Sequence, residues 1–250
     1  MVTSMIHKKP VHILARPGDI SPLVVASGDP GRVKMLSSML EDSILVNKNR
    51  GFLVYTGYWR DTRITVATHG IGGPSSGIVF EELKMLGAKV IVRLGTTGSL
   101  TPDLKVGDLL VVIGAAYPRG HLEMYVPDGY MAAIPDFEIT STLLDKAQEK
   151  KIHVKKGVVF SSDSFYAEDK DFVEKWSSRG VVGVEMECAT LFVLGLIRGF
   201  KTGAILIVSN SLVEDFNICK DEMEVKVRKA AEVVFETLTT INRKLNYFIS

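Results

Sequence analysis

Short apolar runs alternate along this chain with segments whose apolar residues recur every three to four positions. "LVVAS" (23–27) is a continuous apolar run ending at "GDPGR", the pattern of a buried strand. "FLVYTGYW" and "RITVATHG" flank Arg60, Asp61 and Thr62 and predict a hairpin. Pro74 followed by "SSGIVFEELKMLG" predicts a helix opened by proline and closed by Gly87. "KVIVRLG" and "DLLVVIGAA" read as the next strands. A helix over about Phe137–Lys150 leads to a strand in "VKKGVVFSSD", and another helix covers roughly Glu168–Ser178. "VGVEM" reads as a strand end, "ECATLFVLGLIRG" as the helix after it, and "KTGAILIVSN" as the last strand. Met223, Val227, Ala230, Val234, Leu238 and Ile241 recur at helical spacing and give the closing helix one apolar face.

This alternation predicts an α/β fold with a mixed, largely parallel central sheet flanked by helices. No low-complexity linker or internal repeat divides the chain, so one domain is expected over 1–250, with 1–10 as a loose N-terminal extension. In such sheets ligands gather outside the carboxyl ends of the strands.

Composition narrows the classes. Lys+Arg 30 against Asp+Glu 29 leaves a net charge of +1, which argues against a nucleic-acid partner. Two cysteines, Cys188 and Cys219, offer no disulfide framework, and five scattered histidines form no metal-ligand pair. No run approaches the length of a membrane span and the start lacks the apolar core of a signal peptide, so a cytoplasmic protein is expected.

The chemistry sits at the strand ends. "GDPGR" (28–32) places Gly28 and Arg32 where a helix begins, and a guanidinium can fork two oxygens of a phosphate. "RLGTTG" (93–98) repeats the idea with Arg93, a glycine turn and two hydroxyls; Arg50 is a third cation. Together they predict an oxyanion site suited to inorganic phosphate or a mononucleotide. "VGVEMECATL" then adds Glu185 and Glu187 within an apolar stretch, and buried carboxylates need partners. Rival motifs fail. "GIGGPS" (70–75) has Ser75 where a dinucleotide fingerprint needs glycine. "GPSSG" (73–77) matches a nucleophile elbow, but Gly70–Gly73 separate it from its strand, and Ser75 reads as a residue of the first helical turn. His69 reads as a structural histidine, and Phe165 and Tyr166 suit stacking on a flat base.

In order and spacing, "GDPGR", "NRGFLVYTG", "THGIGGPSSGI", "RLGTTGSL", "SSDSFY", "GVEMECATL" and "ILIVSN" resemble the nucleoside phosphorylase-I family from about Val11 to the last helix. The likeness is greatest to its archaeal hexameric branch, which cleaves purine nucleosides and 5′-methylthioadenosine. The resemblance implies a distorted-barrel α/β fold and phosphorolysis, in which a nucleoside and phosphate give a free base and a pentose 1-phosphate, for purine salvage. No metal or organic cofactor is implied; inorganic phosphate is a co-substrate. It also implies the site. Gly28, Arg32, Arg50, Arg93 and Thr96 would bind phosphate; His12, Ile71, Glu185, Met186 and Glu187 the ribose; and Thr97, Gly98, Phe165, Val184, Ser209 and Asn210 the base. Asn210, Arg93 and Glu187 would carry catalysis. His12 and Arg50 would reach into a neighbouring copy, which implies at least a dimer with shared sites, and a hexamer by analogy. No membrane or nucleic-acid partner is implied.

Two departures matter. Bacterial hexameric relatives place Asp at the position of Asn210, and Asn bonds purine N7 without supplying a proton. Uridine phosphorylases share most of these motifs but carry Gln and Arg after the aromatic pair, where this chain has Asp169 and Asp171. Uridine phosphorolysis and non-catalytic nucleoside binding are the alternatives to a purine enzyme.

Overall fold

A computed structural model describes residues 9–214 and 216–247, so most of the expected N-terminal extension, residues 1–8, lies outside the described residues. The first half runs β1 (Leu23–Ser27), α1 (Pro30–Ser37), β2 (Glu41–Asn47), β3 (Val54–Trp59), β4 (Thr62–Thr68), α2 (Gly73–Met85), β5 (Val90–Ser99) and β6 (Leu109–Ala116). The second runs α3 (Phe137–Glu149), β7 (Val154–Ser161), α4 (Lys170–Ser177), β8 (Val181–Glu185), α5 (Cys188–Arg198), β9 (Lys201–Ser211), β10 (Phe216–Asn217) and α6 (Lys220–Tyr247).

All the strands join one mixed sheet in the order β10-β9-β6-β7-β8-β5-β1-β4-β3-β2. A further pairing of β9 with β5 closes β5, β9, β6, β7 and β8 into a five-stranded barrel. The β6–β7, β7–β8 and β5–β9 contacts are parallel, while antiparallel β6–β9 and β5–β8 pairings seal the ring. The α/β class is as the residue pattern predicts, and the distorted barrel as the family resemblance implies.

The apolar runs lack alternation because both faces of the sheet are covered. Along β5, Ile91 packs in a core with Phe80, Leu83 and Phe192 of α2 and α5, whereas Val90, Val92 and Leu94 pack with Phe235 and Leu238 of α6. Burying a side chain such as Phe235 contributes about 1.5–3 kcal/mol. α5 is buried from Cys188 to Gly195, as a helix that is apolar all round must be. The edge strand β2 carries no sequence signal because Ile44 and Leu45 are both exposed, one on each face.

One expectation needs correction. "RLGTTG" is not a strand end followed by a glycine turn. β5 continues to Ser99 because β9 pairs with it from Val90↔Lys201 to Ser99↔Ser211, with one irregularity after Thr97. α4 begins later than predicted because Asp169 is its N-cap, accepting from Phe172 N at 2.9 Å.

Candidate active site

The carboxyl ends of β1, β5, β8 and β9 open onto a cavity of about 380 Å³, within the range of small-molecule sites. Most of the predicted residues line it. Gly28 and Arg32 come from the β1–α1 junction and Ile71 from the loop after β4. Arg93, Thr96, Thr97 and Gly98 come from the second half of β5. Phe165 stands on a helical turn after β7, Glu185, Met186 and Glu187 on the β8–α5 junction, and Ser209 and Asn210 near the end of β9.

Three predicted residues lie elsewhere. Val184 is buried behind the wall with Leu100 and Phe160. Arg50 is exposed, in a turn with φ 54°, and does not line the cavity. His12 lies beside α2, where Glu82 accepts from His12 Nδ1 at 2.8 Å and from the backbone N–H of Val11, His12 and Ile13.

Arg93 organises the centre. Its guanidinium is buried and lies over Gly95, where any Cβ would overlap it, 2.8 Å from Nη2 and closer still to Nη1. Nη2 donates to Glu187 and stands 3.4 Å from Glu185 Oε2. Nε and Nη1 are buried with no hydrogen-bond partner. Burial opposes the charge on Arg93, but Glu187, Cys188 and Glu185 together outweigh it and hold the guanidinium above its ordinary value. Burial likewise opposes ionisation of Glu187, and Arg93 holds its carboxyl below the usual range.

The two glutamates have different work. Glu185 accepts from the Ser161 hydroxyl and from the N–H of Glu187 (2.8 Å) and Cys188 (2.9 Å), so it caps α5 and fixes the junction. Glu187 accepts from Arg93 and, at 2.7 Å, from Gly72 N. Both carboxylates are therefore satisfied, which answers the cost of burying them.

In the same cavity Arg32 Nη1 donates to Ser27 Oγ at 3.1 Å, and burial lowers its affinity for a proton. The α1 N-terminus is already capped, Asp29 accepting from Gly31 N at 2.8 Å. Gly28 is required by close approach, since a Cβ there would lie 2.9 Å from Gly70 O. Thr97 is partly structural, its hydroxyl donating to Val184 O at 2.8 Å.

Sequence reasoning missed Glu168. This half-buried residue lines the cavity, whereas Asp169 caps α4 and Asp171 is exposed in its first turn. Its only sequence signal is its place directly after "FYA", where it reads as the start of a helix.

His69 is fully buried against Phe80, with centroids 5.4 Å apart, and neither ring nitrogen has a hydrogen-bond partner. Burial pushes its imidazole down from 6.5 to about 4. The unfolded chain therefore binds more protons between these values, and stability falls as pH falls through that window. We expect a His69→Gln variant to lose about 2 kcal/mol less than wild type between pH 7 and pH 5. Urea unfolding at fixed protein concentration checks this, and parallel losses would contradict a buried neutral imidazole.

This barrel, with basic and acidic side chains gathered in one cavity at its strand ends, is the fold of a nucleoside phosphorylase. A sequence model described as the Phosphorylase superfamily matches residues 22–241, and the chain belongs to the nucleoside phosphorylase-I family. A DeoD-type purine nucleoside phosphorylase of Clostridium novyi is 37% identical over 227 residues, 90% of this chain and 97% of that protein. A guanosine phosphorylase of Halorubrum lacusprofundi is 35% identical over 205 residues, covering 82% and 85%. A uridine phosphorylase of Treponema pallidum is 33% identical over 240 residues, covering 89% and 92%. The crystal structure of purine nucleoside phosphorylase from Toxoplasma gondii in complex with immucillin-H superposes with a TM-score of 0.88 at 29% identity, covering 98% of this chain and 100% of that one. Among the described residues no helix is long and apolar enough to cross a membrane.

Proposed function

We propose that the chain is a purine nucleoside phosphorylase that needs inorganic phosphate as co-substrate and no cofactor. One observation carries the reading. Arg93 lines the cavity beside Glu187 and keeps two buried donors without a hydrogen-bond partner, so an oxyanion acceptor and a sugar hydroxyl have adjoining places. Phosphate held by Arg93, Arg32, Gly28 and Thr96 attacks C1′, the bond to the base nitrogen breaks with its electron pair on the base, and a pentose 1-phosphate forms. Glu187 anchors the ribose hydroxyls, Met186 and Ile71 pack on the sugar, and the anion faces the positive charge that develops on the ring. Phe165 stacks on the base and Asn210 donates a hydrogen bond to N7, which stabilises the departing purine.

A homo-oligomer with shared sites accompanies this reading. Ile71 and Phe165 are 76% and 60% exposed at the cavity in a single chain. Val11, Leu14, Ile44 and Leu45 are exposed in the segments that carry His12 and precede Arg50. A second copy covering them would receive both side chains, and repetition of the contact would build a hexamer.

The test is the ratio of kcat/KM for inosine, adenosine, 5′-methylthioadenosine and uridine at saturating phosphate. Purines are expected to lead; preference for uridine would sink the proposal. Within the purines, Asn210→Asp is expected to lower the inosine-to-adenosine ratio by about tenfold, since a protonated carboxyl can give N7 a proton and a carboxylate can accept from the 6-amino group. An unchanged ratio would mean that Asn210 does not read the 6-position.

A further inference from the structure

We propose that His121 is a positioning residue for the sugar end of the cavity: its ring, held by Thr190, fixes the glycine turn that presents the Gly72 N–H to Glu187. This rests on the reading above that Glu187 anchors the ribose hydroxyls, and adds what keeps that carboxylate in place.

One hydrogen bond joins the turn between β4 and α2 to this sugar ligand, Gly72 N donating to Glu187 Oε1 at 2.7 Å. The turn that supplies it is soft. Three of its four residues from Gly70 to Gly73 are glycine, and Gly70 and Gly72 have φ of 74° and 84°. Gly72 is the N-cap of α2 without a side-chain capping bond, and Pro74 brings no N–H to the first turn. Glycine leaves such a segment many conformations, so its place has to be set by contacts from outside.

His121 supplies them. It opens a helical turn, His121–Met124, in the loop after β6, and does not itself line the cavity. Its ring presses on the Gly73 backbone: a Cβ on Gly73 would stand 2.5 Å from Nε2 and closer still to Cδ2. Nε2 shares a hydrogen bond of 2.7 Å with the hydroxyl of Thr190, which is buried on α5 one turn after Glu187. The starts of α2 and α5 are thus tied twice, through Gly72 and Glu187 and through His121 and Thr190. The loop that carries the ring is itself anchored. Tyr117 Oη donates to Met131 O at 2.6 Å and accepts from Met131 N at 3.0 Å. Tyr125 meets the His121 ring edge-on and lies against Arg198 of α5, which pairs with Glu81 of α2. Removing the imidazole frees the glycine turn to shift, and the Gly72 N–H with it.

The experiment takes whichever of inosine and uridine the wild type cleaves, with its 2′-deoxy and 3′-deoxy analogues, at saturating phosphate. It measures kcat and KM on wild type, His121→Ala, His121→Gln and Thr190→Val. A nucleoside lacking the hydroxyl that Glu187 holds does not sense a misplaced Glu187, so the analogues separate positioning from general damage. His121→Ala and Thr190→Val are expected to lower the preference for the parent nucleoside over at least one analogue by about fivefold, the scale of one hydrogen bond. The loss falls on KM for the parent more than on kcat, because this anchor serves ground and transition states alike. His121→Gln, whose amide ends near the place of Nε2, is expected to restore most of the preference. Wild-type preference in both His121→Ala and Thr190→Val would overturn the assignment. An equal loss on the parent and both analogues would mark a merely structural role and also overturn it. A wild type with no preference for the parent over either analogue would overturn the reading of Glu187, and this assignment with it.

Discussion

Replacing Arg93 by alanine removes turnover by about a thousandfold or more, the scale of losing a buried oxyanion donor. The same change destabilises the chain, because Glu185 and Glu187 lose the guanidinium within 4 Å of both. Breaking a buried ion pair on one side costs about 3–5 kcal/mol. Arg93→Lys separates the two effects. It keeps the charge, so most of the stability is retained, but it loses the planar fork that serves Glu187 with one nitrogen and an oxyanion with the others. Steady-state kinetics in phosphate and thermal melts of both variants check this. Alanine activity within tenfold of wild type would remove Arg93 from the chemistry.

Gly95→Ala is expected to be nearly as severe for activity. The new methyl group would occupy the space of the Arg93 guanidinium, so Arg93 must leave its place beside Glu187. The β5 ladder uses only the backbone of Gly95, paired with Leu206, and keeps its register. Circular dichroism should therefore be unchanged while kcat/KM for phosphate falls by about a hundredfold, as expected when a positioned donor is moved by an ångström or more. Wild-type kinetics in this variant would contradict the stacked placement of Arg93 over Gly95.

These two residues show how much the sequence could tell. Arg93 and the glycine after it are legible as an anion motif, but the pattern suggests a turn. Only the pairing of β5 with β9, more than a hundred residues later, makes this stretch a strand with a guanidinium folded back across its glycine. Long apolar runs such as "KTGAILIVSN" announce strands covered on both faces, and α6 announces itself by its spacing. β2 does not, because its apolar side chains are exposed on both faces.

The site divides similarly. Most residues fixed by a motif, from Gly28 to Asn210, are brought together at the strand ends, Arg50 and Val184 excepted. Glu185 and Glu187 look alike in sequence and differ in work, because only the fold puts Ser161 and two helix-terminal amides around the first. Glu168 escaped notice since nothing in "AEDKD" says which acid turns inward. His12 and Arg50 resemble site residues, yet within one chain they stand apart from the cavity. That separation follows if they serve another copy.

The most direct test of the central claim is to follow inosine with ¹⁸O-labelled phosphate and analyse the sugar product by mass spectrometry. The account predicts hypoxanthine and a pentose 1-phosphate in equal amounts, with the labelled phosphate intact on the sugar and no reaction when phosphate is omitted. Free ribose formed at the same rate without phosphate would contradict it.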